Sequence, residues 1–360
     1  MYRLVQRRGI IGLFCLLFVA SSVVPGWAQK DNRFEVSKNL DIFNSLLKEV
    51  EMFYVDSVDV DKTVQRGIEA MLAGLDPYTE YYPEQKTEEL SLMTTGEYGG
   101  IGSLIRQRNN EGGVMIAEPT EGMPADLAGL KPGDLILAID TIDVSKATNS
   151  RVSELLKGVP NTKMVLTIQR PGEKKPRKFE ITRKQITTPQ VTYYGVKNDS
   201  IGYIYLKAFT IKSAQEVKEA FLDLKKNHNI KSLVLDLRGN GGGVLEGAVQ
   251  IVGMFVPKGS EVLSTKGKIK QWDRTYRTST EPLDTVMPLA ILINGGTASA
   301  AEIVSGSLQD MDRAVLVGQR SFGKGLVQAP RDLPYNGKVK ITMSKYYIPS
   351  GRCIQQIDYS

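Results

Sequence analysis

The chain has 360 residues, with 46 Lys plus Arg against 40 Asp plus Glu, 34 Gly and 41% hydrophobic residues. That is globular composition with apolar material for two or three domains. Its one histidine, His228, and two cysteines, Cys15 and Cys353, cannot assemble a Cys/His zinc site or a disulfide scaffold, and no metal or cofactor is expected.

Residues 1–28 read as a secretory signal peptide. Arg3, Arg7 and Arg8 precede an apolar run from Gly9 to Ala20, and Gly26-Trp27-Ala28 places small residues where a signal peptidase reads them. An uncleaved membrane anchor is the alternative, because the stretch to Val24 is mostly apolar. Removing the segment leaves 43 basic against 40 acidic residues, so the charge falls from +6 to +3. The basicity is then largely a targeting feature, and no nucleic-acid partner is expected. Cys353 remains as a single thiol in an exported protein, free or intermolecular.

The mature chain divides by charge. Residues 29–95 carry 7 basic and 14 acidic side chains, residues 96–186 carry 14 and 11, and residues 187–360 carry 22 and 15. Opposite signs at the two ends suggest that the first segment docks against the last. Residues 29–95 read as helical. Leu40, Phe43, Leu46, Leu47, Val50 and Phe53 form one helical face, and Val64, Ile68 and Leu72 a second, which stops at Gly74 and Asp76-Pro77.

Residues 96–186 read as a small closed β domain with a peptide groove. Runs at Val114–Ala117, Leu135–Ile139, Met164–Gln169 and Lys178–Thr182 are separated by turn signals, and Ala125–Ala128 and Asn149–Lys157 are helical. The stretch from Glu121-Gly122-Met123-Pro124-Ala125 through Gly133-Asp134 to Ile139 resembles a PDZ domain signature. The resemblance implies that Gly99-Gly100-Ile101-Gly102 is the carboxylate-binding loop. Glycines there let successive N–H groups face one C-terminal carboxylate while a strand edge pairs with the peptide; the alternative is a plain hairpin turn.

From Ser200 onward strands and helices alternate in an α/β layer: strands at Ile201–Phe209, Ser232–Leu237, Leu289–Ile293 and Ala314–Val317, helices at Ala214–Leu224, Val244–Phe255 and Ala298–Leu308. His228 falls in Lys225-Lys226-Asn227-His228-Asn229, a polar loop between a helix and a strand, and reads as solvated.

Three segments here could carry chemistry. Leu233–Asp236 runs into Leu237-Arg238-Gly239-Asn240-Gly241-Gly242-Gly243-Val244, a strand–glycine loop–helix junction that presents N–H groups to an anion or oxyanion. Its likeness to a dinucleotide fingerprint is partial, since Val244 occupies the third glycine position. Asn294-Gly295-Gly296-Thr297-Ala298-Ser299-Ala300-Ala301-Glu302 repeats the arrangement; Ser299 with Glu302 fits a capping box, and also a nucleophile at a helix N-terminus. Gly318-Gln319-Arg320-Ser321-Phe322-Gly323-Lys324-Gly325 is one residue short of a P-loop, with glycine replacing the metal-binding hydroxyl. Lys324 is either an exposed lysine or a partly buried base.

With histidine unavailable, lysine is the remaining partner type for a serine nucleophile. From about Leu40 to Ile357 the sequence resembles the carboxy-terminal processing proteases, a Ser/Lys peptidase family. The matching stretches are Leu75-Asp76-Pro77-Tyr78, the PDZ signature, Asp236–Gly243, Thr297–Glu302 and Ser321–Gln328. The resemblance implies a multidomain α+β fold: an N-terminal helical segment, a PDZ β domain and an α/β core like the crotonase and ClpP spiral. It implies Ser299 as nucleophile, Lys324 as general base and Gln328 as the residue that orients the lysine. The oxyanion donors would be Ala300 N–H and Gly243 N–H, with Gly242 as the alternative. Lysine acting as base needs a pKa lowered by roughly three units, a differential of about 4 kcal/mol. Partners implied are protein substrates with accessible C-terminal tails, with room for an activating adaptor and a homo-oligomer. The competing reading is an inactive or C-terminally truncated tail-binding protein, since related proteases continue beyond the point that corresponds to Ser360. The expected site is the periplasm or cell envelope.

Overall fold

A computed structural model describes residues 33–108 and 112–359. The predicted secretory segment lies outside the described residues. Two compact units divide the chain after Gly67.

The first unit is helical. Helix α1 spans Arg33–Phe53, beginning seven residues before its first apolar-face residue, Leu40. None of its residues is buried, and Leu40, Phe43, Leu46 and Phe53 all remain exposed. Helix α2, Val60–Ala73, whose residues from Ile68 onward belong to the second unit, starts where the Asp59 carboxylate accepts the Lys62 N–H at 3.1 Å, a cap that satisfies one of the free first-turn donors.

In the second unit β1 (Glu80–Tyr82) and α3 (Thr87–Thr95) lead into a β module. Its elements are β2 (Glu97–Gly100), β3 (Ser103–Gln107), β4 (Val114–Pro119), α4 (Pro124–Leu127), β5 (Leu135–Ile139), β6 (Ile142–Asp143), α5 (Asn149–Leu156), β7 (Lys163–Gln169), β8 (Arg177–Thr182) and β9 (Lys184–Thr187). Six strands form an antiparallel sheet in the order β3-β4-β5-β7-β8, with β6 on β5, and β2 pairs β9 separately. The alternation in β7, Lys163 exposed and Met164, Leu166 and Ile168 buried, puts one face on the module's own core. Asp134, fully buried, takes two hydrogen bonds from Arg170 at 2.8 Å and one from Lys131 N–H, which fastens the Pro-Gly-Asp turn to the end of β7.

The remaining elements are β10 (Val191–Lys197), β11 (Ile201–Leu206), α6 (Ser213–His228), β12 (Ser232–Asp236), α7 (Leu245–Gly253), β13 (Glu261–Gly267), β14 (Arg274–Arg277), β15 (Leu289–Ile293), α8 (Ala300–Asp310), β16 (Val315–Gly318), β17 (Leu326–Asp332) and β18 (Lys338–Tyr347). The central sheet runs β10-β11-β12-β15-β16, parallel from β11 to β16. Ala214, Val217, Ala220, Phe221 and Leu224 of α6 are buried as the periodicity predicts. Together with Leu235, Ile251, Phe255 and Val304 they form one core cluster. Each of the Val, Leu, Ile and Phe side chains among them contributes about 1.5–3 kcal/mol by its burial.

A second sheet, absent from the sequence reading, joins β1, β18, β13 and β14, with β17 on β18. Glu80, Tyr81 and Tyr82 of the acidic segment pair with Lys340, Val339 and Lys338 of the basic one, and Glu80 forms an ion pair with Lys340. His228 is exposed to solvent as expected, but it is the last residue of α6 and not a loop residue; it lies 3.8 Å from Asp223, and Asn229 in the left-handed conformation makes the turn. No helix among the described residues is long and apolar enough to cross a membrane.

Candidate active site

Three loops at the C-terminal ends of β12, β15 and β16 meet, the usual place for a site in an open parallel sheet. The first two are laced together. Asn294 Oδ1 accepts from Gly239 N–H at 2.9 Å, Thr297 Oγ1 donates to Leu237 O at 2.8 Å, and Ala298 N–H donates to Asn240 O at 2.9 Å. Asn240, fully buried, also donates to Leu206 O and accepts from Gly242 N–H at 2.9 Å. Gly242 therefore has its N–H committed to Asn240, which corrects its candidacy as an oxyanion donor. Gly243 N–H and Ala300 N–H have no hydrogen-bond partner among the described residues. Gly242 has φ +93°, and a Cβ there would lie 2.8 Å from Ser299 Cβ and 2.9 Å from Ala300 N, so the glycine loop lies directly against Ser299.

Ser299 precedes α8 instead of lying within it as expected, with φ 55° and ψ −118°. A serine at positive φ is strained, and such strain collects at functional positions. Its N–H donates to Glu302 Oε2 at 2.9 Å, the Glu302 half of the predicted capping box.

Glu302 does much more than cap. It is 3% exposed, and its two oxygens also accept from Ser321 Oγ (2.7 Å), Gly323 N–H (2.7 Å) and Lys324 N–H (2.8 Å). One carboxylate thus binds the backbones of Ser299 and Lys324. Four donors on a buried anion are charge-assisted bonds, about twice as strong as neutral ones. Tyr346, 1% exposed, places its hydroxyl 3.1 Å from Ser299 O and 2.6 Å from Lys324 O. Neither residue was singled out as a site residue in the sequence. Glu302 was visible there as a capping partner; Tyr346 left no signal, because its role depends on β18 crossing behind both loops.

The Lys324 side chain is half-buried, and its amine lies 4.2 Å from the centre of the Tyr78 ring. Burial and then the nearby Lys340 push its pKa below 10.5, while Glu80, Asp76 and Glu302 oppose the shift. Gln328 lies on β17, where its amide donates to Thr342 Oγ1 at 3.1 Å. No hydrogen bond joins Gln328 to Lys324 in this arrangement, so the expected orienting contact is not formed. A cavity of about 300 Å³ opens beside Tyr78, between Phe322 and Ile357. Cys353 is free and half-buried.

In the β module, Gly99 and Gly100 belong to strand β2, paired with β9, and only Ile101 and Gly102 stand in the loop before β3. Gly99 is needed for packing: a Cβ would fall 1.9 Å from Gly158 O. Among the described residues strand β3 ends its sheet with one edge unpaired, and Gln107 ties it to the start of α5 by accepting from Asn149 N–H at 2.7 Å.

Comparison with known proteins gives these parts a family. The profile of peptidase family S41 matches residues 200–359 and that of a PDZ domain residues 115–170. A carboxy-terminal-processing protease of Bartonella bacilliformis is 36% identical over 95% of this chain and 77% of its own. A protein described as "Probable CtpA-like serine protease" from Staphylococcus aureus (strain COL) is 33% identical over 88% of this chain; the match spans 62% of its length, less than two thirds. Among solved structures, a photosystem II D1 C-terminal processing protease aligns at 29% identity over 90% of this chain and 89% of that one, with a TM-score of 0.48. The chain carries a PDZ domain and belongs to peptidase family S41, the carboxy-terminal processing proteases, which are serine-type peptidases.

Proposed function

We propose that this chain is an exported endopeptidase that captures C-terminal tails of proteins in its PDZ module and cleaves them with Ser299 and Lys324. The observation that carries the reading is the Glu302 carboxylate, which anchors the strained Ser299 and the Lys324 backbone at once. The proposed division is a signal peptide at 1–28, a helical segment at 29–95, the PDZ domain at 96–186 and the protease core at 187–360. Export to the periplasm or envelope belongs to the same proposal, and N-terminal sequencing of the secreted protein tests it: cleavage after Ala28 is expected, and an intact cytosolic Met1 overturns it.

In the proposed reaction neutral Lys324 takes the proton of Ser299 Oγ as that oxygen bonds to the peptide carbonyl carbon. The carbonyl electron pair moves onto oxygen, which Ala300 N–H and Gly243 N–H receive. The ammonium then returns its proton to the leaving amine as the C–N bond breaks, and water hydrolyses the acyl-enzyme. Gln328 would serve by turning from Thr342 toward Lys324 once a substrate is seated. The unpaired edge of β3 supplies the strand for tail binding, with the N–H groups of Ile101 and Gly102 at the carboxylate. An activating adaptor and a homo-oligomer fit this reading as well.

The test is cleavage of unstructured peptides with defined C-terminal tails, followed by mass spectrometry. Cleavage abolished in Ser299→Ala and Lys324→Ala is expected; proteolysis undiminished in Lys324→Ala overturns the dyad. A protein that binds tails and cleaves none would support the inactive tail-binding alternative.

A further inference from the structure

The proton that leaves Ser299 must rest on Lys324 as an ammonium, and the surroundings of that amine are unusual. The nearby charged groups are Lys340, Glu80, Asp76 and Glu302. The three carboxylates are already engaged elsewhere. Glu80 holds Lys340 and the Tyr82 hydroxyl. Asp76 accepts from Tyr78 N–H (2.8 Å), Thr79 N–H (2.8 Å) and Thr79 Oγ1 (2.9 Å). Glu302 holds the four donors described above. Among the described residues no hydrogen bond or ion pair reaches the Lys324 amine, and its direct partner is the face of Tyr78.

We propose that Tyr78 is a positioning residue for the Ser299–Lys324 reaction, its ring face receiving the lysine ammonium formed when Ser299 is deprotonated. The inference rests on the reading of Lys324 as the base. Its chemistry follows from magnitudes. A direct carboxylate partner would favour the charged lysine strongly and hold it protonated at neutral pH. An aromatic face attracts a cation far more weakly and leaves the neutral amine unpenalised, so it assists the transient ammonium without trapping it. The ring is also firmly mounted. Asp76 closes the turn that carries it, Thr79 fixes that turn to β18 through Thr342 (3.1 Å), and Tyr359 meets the ring edge-on at 6.0 Å. Thr342 is the residue that holds Gln328, so the turn, the ring and the orienting amide share one support.

The experiment measures kcat and KM against pH on an unstructured peptide, using the full chain with Tyr78→Phe, Tyr78→Leu, and pentafluorophenylalanine at position 78. Pentafluorophenylalanine keeps the shape of the ring and removes the negative potential of its face. Tyr78→Phe should behave like the parent. The fluorinated and Leu variants should lose about 3- to 10-fold in kcat with KM within about twofold, and their acid limb should move down by roughly 0.5–1 pH unit, because a group that favoured the charged lysine has gone. If Leu does not fold, the fluorinated ring decides. An unshifted acid limb in the fluorinated variant, or a change confined to KM, overturns the proposal. Lys324→Ala separates the layers. If it stays active, the base assignment fails and Tyr78 falls with it; if it is inactive while fluorination changes nothing, the inference about Tyr78 alone fails.

Discussion

The loop that carries Ser299 and the loop that carries Lys324 end on the same carboxylate, yet they are held differently. On the nucleophile side the backbone is held at many points: the side chains of Asn240, Asn294 and Thr297 bind the main chain of the two loops, Gly242 lies against Ser299, and the strain at Ser299 is locked in. On the base side the backbone of Lys324 is pinned, but its amine meets only a ring face and Gln328 is turned to Thr342. Under the proposed mechanism this difference is a division of labour: the oxyanion geometry would be fixed before substrate arrives, and the proton carrier would keep freedom to move.

Substitutions can break that contrast. The largest effect belongs to Ser299→Ala, which should lower peptide cleavage by about 10⁴-fold or more while tail binding, followed by fluorescence anisotropy, stays intact. Glu302→Gln comes next. An amide presents one acceptor oxygen where four donors converge, so at least two bonds are lost at about 1.5–3 kcal/mol each, and both the unfolding midpoint and kcat should fall, kcat by about 100-fold. A normal midpoint would mean that Glu302 is not the joint between the two loops. Gly242→Ala drives a methyl against Ser299 and Ala300 at positive φ; overpacking of about 1–3 kcal/mol is expected, with loss of kcat and little change in KM.

On the base side the effects should be smaller and leave stability alone. Gln328→Ala should reduce kcat by about 3- to 10-fold without lowering the unfolding midpoint; a stability loss as large as that of Glu302→Gln would erase the distinction. The smallest effect concerns pH. In the proposed mechanism Lys324 must be neutral to act, so activity should fall as pH drops through the lowered pKa. Lys340 contributes to that lowering, and Lys340→Gln removes a positive neighbour and frees Glu80, both of which favour the ammonium. The acid limb should therefore move to higher pH, by about half a unit. A downward shift would show that Lys340 does not act on Lys324 through charge.

Much of this was legible along the chain. The stripe of α6, the strands β5, β7, β12 and β15, and the glycine loops at Asp236–Gly243 and Asn294–Glu302 all follow from periodicity and turn chemistry, which are local. Strand β18 carries its own local signal, since Lys338-Val339-Lys340-Ile341-Thr342-Met343-Ser344 alternates polar and apolar residues, but its partners β1, β13 and β17 are set by tertiary pairing, and Lys338–Lys345 is half-buried throughout. The placement of Gly99 and Gly100 in a strand was hidden too, since their pairing with β9 spans more than eighty residues. The long apolar face of α1 predicts a helix correctly but says nothing of burial, and that face is exposed.

The opening composition settled which chemistries to set aside, and the residue types of Ser299, Lys324 and Gln328 stood in the sequence. The tertiary structure decided what those residues can do. It joined Ser299 to Lys324 through Glu302 and Tyr346, tied Gly242 N–H to Asn240 and left that of Gly243 without a partner, and set Tyr78 over the lysine amine. The physical reason is range. Helix and turn preferences act within a few residues, whereas a buried carboxylate or a ring face acts on whatever the fold brings within a few ångströms, however far away in the chain.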